Sequence, residues 1–453
     1  MESKLSTGVA AEARRPGRLR IGRGRLLFLG IAVGLIAMAS VWLWRVRGLD
    51  GLPDVGDPFD VAATVRPIEI PDDENAYVSY SEAVRLLGKR PDAIRQTDWM
   101  RLTWSNAGLP ERSYLESNRP ALAVWRLGSE RPDAVYRQPG KMAADTVLSL
   151  VDDLRMLSLL AALESLRLEQ KGAMAEAWSW YKGMLRASRH VGRHGAVIER
   201  AVGAREFEYA ARRIVHWAAD ARVDAGLLRR ALTDTVAADA LTPPISDSMK
   251  IQYLLCLRDL DELRVMVNEI PMPGGQNGWL EKALGATKAK APLQRARLNI
   301  TNDVERSRRV LRLLYANWLP QLDKPANERA PIAIRTPTLI YVNDATAPAA
   351  ARAVAPEDLD AVIGQTLLAQ EFFRPPDQFV GGGPPWSGWA WEGDSPLARE
   401  PRRRAVLIVK LAAELYGREH GRPPANAGAL LDGCLKELPN GISRDDPIPA
   451  GIE

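Results

Sequence analysis

The chain is poor in the residues that most often carry chemistry. Its 453 residues include four histidines and two cysteines. Cys256 and Cys434 stand far apart and form no Cys-x-x-Cys pair, so no zinc-ribbon or thioredoxin-type motif is present. An oxidising compartment would permit a disulfide between them, but two buried free thiols are the favoured reading. The phosphate-binding GxxxxGK[ST], a GxGxxG after a strand, the GxSxG elbow and the HExxH zinc helix are all missing. These absences remove the main routes by which a sequence announces an enzyme. No cofactor and no metal are expected.

A strong charge of one sign is missing too. There are 61 Lys and Arg against 56 Asp and Glu, a net charge of +5. Much of the surplus lies at the amino terminus, in Arg14, Arg15, Arg18, Arg20, Arg23 and Arg25. The remainder therefore offers no case for nucleic acid as a partner, while the tail suits anionic lipid headgroups. Hydrophobic content of 46% and charged content of 26% are ordinary for a globular chain. The length allows two or three domains. Asn299-Ile300-Thr301 matches a glycosylation sequon, a match expected by chance at this length.

What the chain does have is one long apolar run, Leu26–Trp44, LLFLGIAVGLIAMASVWLW, with no charge in it. That is about the length a helix needs to cross a bilayer, and only a helix can satisfy its own backbone there. Gly30 and Gly34 give a small-xxx-small spacing that lets two such helices approach, a pattern that chance also produces. Six arginines precede the run, whereas Arg45 and Arg47 after it are soon diluted by Asp50, Asp54, Asp57 and Asp60. The positive-inside rule then keeps residues 1–25 in the cytoplasm and sends the rest across the inner membrane. Trp42 and Trp44 sit where an interfacial aromatic belt would lie. A cleaved signal peptide is the competing reading, since Ala37-Met38-Ala39 has the form of a cleavage site. Against it, the basic region is long and the apolar character continues through Trp44.

Residues 45–71 (GLPDVGDPFD, then RPIEIP) read as an extended stalk. A helical array follows over 72–320. Its first helix lies in DDENAYVSYSEAVRLLG, with Ala76, Tyr80, Ala83, Leu86 and Leu87 on one face and Gly88 as a stop. A second runs from about Ser113 to Leu127. The longest periodic stretch begins at Lys141 and continues to Gln170, with Leu148, Val151, Leu154, Leu157 and Leu160 at helical steps. Then come about Ala173–Val191, Ala196–Ala219, Asp224–Ala237, Ser246–Asn268 and Asp303–Trp318. Their short connections predict stacked helix pairs. KGAMAEAWSWYKGML has the Gly-Ala-Tyr spacing of a tetratricopeptide repeat, but no second copy stands at the repeat period. Residues 321–355 read as a Pro/Ala-rich linker. The segment 356–453 holds a helix at 356–370, a Gly/Pro/Trp loop, and a helix from about Ser395 or Arg402 to Tyr416 with a solvated basic end. The fold class expected is mainly α: one N-terminal transmembrane helix, then an irregular array of TPR-like hairpins with few or no strands.

The order of these pieces resembles an uncharacterised family of bacterial single-pass membrane-anchored helical proteins. The shared features are the acidic-Asn-Ala-Tyr helix after the anchor, the Leu/Ala/Arg-rich middle with its LEQ-G-A turn, and the ending Tyr416-Gly-Arg-Glu-His420-Gly421-Arg-Pro423 followed by Leu438-Pro439 and Asp446-Pro447. The ending is also similar to that of some pseudopilin-like proteins. Pro424-Ala425 departs from the Pro-Xaa-Ser/Thr turn usual in the family. The resemblance implies no catalytic residues.

Candidate sites are few. His190 and His194, four apart, would share a helix face as a metal pair does, yet no acidic third ligand is close and a solvated helix end is the plainer reading. Trp386, Trp389 and Trp391 in the Gly-rich loop could contact a ligand or glycan or dip into a membrane interface, though covering a core edge is the plainer reading. His420, near Tyr416 and Glu419, could do acid-base work or cap a helix C-terminus. Asp152 and Asp153 read as solvated. The function expected is a non-enzymatic envelope scaffold that binds the bilayer through Leu26–Trp44 and presents helical grooves to another envelope protein. The alternatives are an enzyme acting on envelope polymer, built around the Trp loop and His420, and a pilin-like assembly component.

Overall fold

The computed structural model describes residues 23–50, 54–142, 150–268, 303–324, 333–335, 339–341 and 396–452. It separates into two compact units, Met1–Asp50 and Gly51–Glu453.

The first unit contains α1, Arg23–Asp50, 28 residues long. Its described side chains are those of residues 28–43, and the large apolar ones from Phe28 to Leu43 are exposed. Among the described residues no helix is long and apolar enough to cross a membrane. A Cβ added at Gly30 or Gly34 would meet nothing within 4 Å.

The second unit is mainly helical. After the short α2 (Val61–Thr64) come α3 (Ala76–Leu86), α4 (Leu109–Ser117), α5 (Arg119–Ser129), α6 (Val151–Gln170), α7 (Met174–His190), α8 (Val197–Ala219), α9 (Ala225–Ala240), α10 (Ile245–Asn268), α11 (Asp303–Leu322) and α12 (Pro396–His420). Strand structure among the described residues is confined to β1 (Ala333–Arg335) and β2 (Leu339–Tyr341), an antiparallel pair with Ile334 opposite Ile340.

Local signals explain the helix ends. Asn75 caps α3 by accepting from the Tyr77 amide, and Asp224 caps α9 by accepting from Leu227. Gly172, at φ +78°, makes the turn between α6 and α7. The helix expected over Ser113–Leu127 is two helices, broken at Asn118. Pro120 starts the second, and the Asn118 side chain leaves the helical ladder to accept from the Gly88 amide at 2.7 Å. Leu86, expected on the inner face of α3, is exposed. Leu148 and the helix expected at 356–370 lie outside the described residues.

Most of the core is one cluster, with a smaller one formed by Met142, Ala196, Ile251 and Leu255. α3 packs on α5, α7 on both α6 and α8, and α12 closes over α8 and α9. Trp125, Trp217, Tyr80 and Tyr181 are fully buried within it. Trp178 and Trp217 stack at 5.1 Å, and their indole N–H groups donate to Asp234 and to the Met174 carbonyl. The segment read as a stalk is tied to this unit over much of its length. Arg312 of α11 holds Asp54 at 2.8 Å, Tyr253 of α10 donates to Asp57 at 2.8 Å, and Ile68 exchanges two backbone hydrogen bonds with the Gln138 side chain.

Candidate functional site

The junction of α7, α8, α9 and α12 gathers the most charge into the least water. Two glycines make it possible. Gly192, at φ +79°, lies so close to the first turn of α8 that a Cβ there would sit 2.3 Å from the Arg200 amide nitrogen. A Cβ at Gly203 would sit 2.6 Å from the carbonyl oxygens of Ser188 and Val191. The end of α7 and the start of α8 therefore touch backbone to backbone, which brings Arg189 and Arg200 together inside the protein.

Both arginines grip one carboxylate supplied by α12. Glu400 accepts from Arg189 and, at 2.6 Å, from Nη2 of Arg200, and all three side chains are at most 2% exposed. Burial alone would raise the Glu400 pKa, but the charges of Arg200 and Arg189, with Arg404 beyond, outweigh it and hold the carboxyl at about 2. Burial lowers Arg189 to about 10 against the pull of Glu400, so both groups remain ionised near neutrality. The Arg189 guanidinium also lies over the Phe207 ring, 4.3 Å from its centroid. One turn along α12, Arg403 donates to Glu208, and Arg404 donates to Asp239 at 2.8 Å and to Thr242. A small space remains among Leu185, Arg189, Phe207, Thr235, Asp239 and Arg404, about 10 Å³, room for a single water.

This arrangement corrects one expectation. α12 begins at Pro396, beside the earlier of the two starts expected, and of Arg402, Arg403 and Arg404, expected as a solvated basic end, Arg402 is exposed and Arg404 half-buried. Arg403 is 4% exposed. Arg189, Arg200 and Glu400 were not singled out by sequence reasoning, although a signal existed. Leu397, Glu400, Arg404, Leu407 and Leu411 follow helical steps, so Glu400 and Arg404 lie on the apolar stripe.

A second polar cluster lies in the core. The Tyr80 hydroxyl and His190 Nδ1 are hydrogen-bonded at 2.8 Å, both residues fully buried. Burial, aided by Arg186 and Arg193, drives the His190 pKa down to about 3, so the imidazole is neutral. Glu206, 6% exposed, accepts from Ser158 at 3.2 Å, and burial raises its pKa to about 7.

The residues singled out in the sequence do not converge. α7 ends at His190, and Gly192 reverses the chain, so His190 and His194 share no helix face. His194 adopts φ 55° and places Nε2 3.6 Å from Asp133. The solvated helix end expected here is also not found, since His190 is fully buried. His420 is the last residue of α12. Its ring stacks on Tyr416 with centroids 4.0 Å apart, and Nδ1 lies 3.0 Å from the Tyr416 carbonyl. Its neighbour Glu419 pairs with Arg229. An open groove runs nearby along Lys410, Glu414, Gly417 and Gly421, facing Pro423, Pro424 and Ile448. Asp152 and Asp153 are exposed in the first turn of α6. Cys256 is buried and Cys434 half-buried, and no disulfide joins them. Trp386, Trp389 and Trp391 lie outside the described residues.

Compared with protein-family models, with curated proteins and with solved structures, the chain has no match. Chemically, the α7–α12 junction is a clamp that ties a C-terminal helix to a scaffold formed some 200 residues earlier.

Proposed function

We propose that the chain is a single-pass protein of the bacterial inner membrane. In this reading α1 spans the bilayer, the basic tail is cytoplasmic, and the helical unit outside acts as a non-enzymatic scaffold for another envelope protein. One observation carries the proposal. Phe28, Leu29, Ile31, Leu35, Ile36 and Trp42 are all well exposed on one helix, an apolar surface that water does not tolerate and lipid does. The charge-free run around them, Leu26–Trp44, is long enough for the crossing.

The helical unit suits a scaffold because its strongest interactions are internal. The clamp on Glu400 and the Tyr80–His190 pair rigidify packing and leave the helix surfaces free for partners. The hairpin of α6 and α7, with Ala177, Gly183 and Ala187 buried on α7, supports a TPR-like reading of this region. The same chain order motivates membership of the membrane-anchored helical family it resembles.

The test is fractionation with a designed loss of the anchor. Each arginine near the centre of a membrane helix costs about 2.5–3.5 kcal/mol of insertion. Leu35→Arg with Ile36→Arg should therefore release the full-length chain from the membrane fraction, while wild type resists alkaline extraction. Wild type recovered in the soluble fraction, or a double variant that still resists extraction, would contradict the proposal.

A further inference from the structure

The open groove at the C-terminal end of α12 has room for a sizeable occupant. It encloses about 410 Å³, within the ~300–1,000 Å³ range of ligand clefts. One wall is α12 itself, with Lys410, Glu414 and Arg418 spaced four residues apart along one edge. The other is the returning chain, with Pro423, Pro424 and Ile448. From Lys410 to the helix end at His420 the groove follows α12 for about 15 Å, the length of about four or five extended residues.

Charge and shape together indicate what fits. Three cations line the groove, Lys410, Arg418 and Arg422, against the one carboxylate of Glu414, a surplus of two positive charges. Lys410 and Arg422 enter no ion pair among the described residues. Arg418 donates to the carbonyls of Ala219, Asp220 and Val223, which satisfy its N–H groups without cancelling its charge. The Asp220 carboxylate is already paired with Arg222 at 2.7 Å. The shape is marked by Gly417, which lies inside α12, where glycine costs more backbone entropy than any other residue. Its φ is not positive, and a Cβ built there would meet nothing within 4 Å. The fold has no need of a glycine at 417; a second chain laid close against the helix backbone does. A small anion would match the charge but leave the apolar wall of Pro423, Pro424 and Ile448 uncovered, whereas an extended peptide with acidic side chains matches both.

We infer that this groove takes an extended acidic segment of a partner protein, its backbone over Gly417 and its carboxylates toward Lys410 and Arg422. That the occupant is a protein rests on the scaffold reading, whereas binding in detergent is blind to where α1 sits, so the two can fail separately. The experiment probes an array of acetylated, amidated pentapeptides with the full-length chain in neutral detergent, each peptide carrying Asp or Glu being paired with its Asn or Gln counterpart. The acidic members should be retained over their amide counterparts. Lys410→Ala with Arg422→Ala should weaken that retention about fivefold, the loss of two exposed ion pairs. Gly417→Leu, which fills the groove and favours the helix, should abolish it while melting no lower than wild type. Equal retention of acidic and amide peptides would overturn the inference. So would acidic retention unchanged in Gly417→Leu, which would assign it to the arginines of residues 1–25. Acidic peptides displaced by phosphatidylglycerol mixed into the detergent would overturn it in favour of a lipid headgroup. If Gly417→Leu does not fold, the double variant decides alone, and retention equal to wild type overturns the site.

Discussion

Nη2 of Arg200 lies 2.6 Å from Oε2 of Glu400, across 200 residues of chain and with both side chains out of reach of water. Because Arg189 grips the other oxygen, removing this one carboxylate strands two buried guanidinium groups. Breaking a buried ion pair by removing one partner typically costs about 3–5 kcal/mol, whereas replacing the whole set by apolar groups is often neutral or better. Glu400→Ala should therefore lower stability by about that amount. Replacing Arg189, Arg200 and Glu400 together by methionine should recover most of it. Urea unfolding of the full-length proteins in detergent distinguishes the two; a single variant as stable as wild type would show that the clamp does not hold α12.

Two buried groups give the unit opposing responses to pH. Glu206 holds its proton up to about pH 7 in the folded chain, against 4.5 for the free carboxyl, so rising pH removes stability between those values and the penalty persists above them. His190 refuses a proton until about pH 3, against 6.5 for the free imidazole, so falling pH removes stability below 6.5. From pH 4.5 to 6.5 the two slopes cancel. Glu206→Gln should gain about 3 kcal/mol above pH 7. It should also uncover the histidine slope, with stability rising by about 1.4 kcal/mol per pH unit between 4.5 and 6.5. Urea midpoints collected across that range test this, and a flat profile in the variant would contradict it.

The glycines separate close approach from backbone freedom. Gly172 and Gly192 share φ near +78°, but a Cβ at Gly172 meets nothing, while one at Gly192 collides with the backbone of α8. Gly172→Ala should cost about 1–2 kcal/mol, the price of left-handed backbone for an L-residue. Gly192→Ala should cost clearly more, since Arg200 must move with α8, and should also weaken the grip on Glu400. Thermal melts of the two variants side by side give the comparison. Equal losses would mean that the turn is not held against α8.

Much of the helical unit could be read from the chain because α7, α8 and α9 each present an apolar stripe at helical spacing bounded by short polar turns. Ala177, Trp178, Tyr181, Met184 and Leu185 are all buried, as that period requires. The break at Asn118 was half legible: Pro120 stood inside the expected helix as a breaker, but the side-chain bond from Asn118 to Gly88, thirty residues earlier, comes only from the fold. The clamp was missed for the same kind of reason. A charged residue on an apolar stripe looks like an interruption until its partner is known, and Glu400 meets Arg189 and Arg200 only through the fold. The two histidines misled because spacing by four implies a shared face only while the helix continues, and Gly192 ends it. No disulfide joins Cys256 and Cys434, but only Cys256 is buried where two buried thiols were expected.

Membrane topology is the most direct test of the account. Protease added to intact spheroplasts should degrade residues 54–452 while an epitope fused to the amino terminus survives until the membrane is permeabilised. A helical unit that stays protected in intact spheroplasts, or a mature chain that begins beyond Ala39 and is free in the soluble fraction, would contradict the claim that α1 holds this protein on the outer face of the inner membrane.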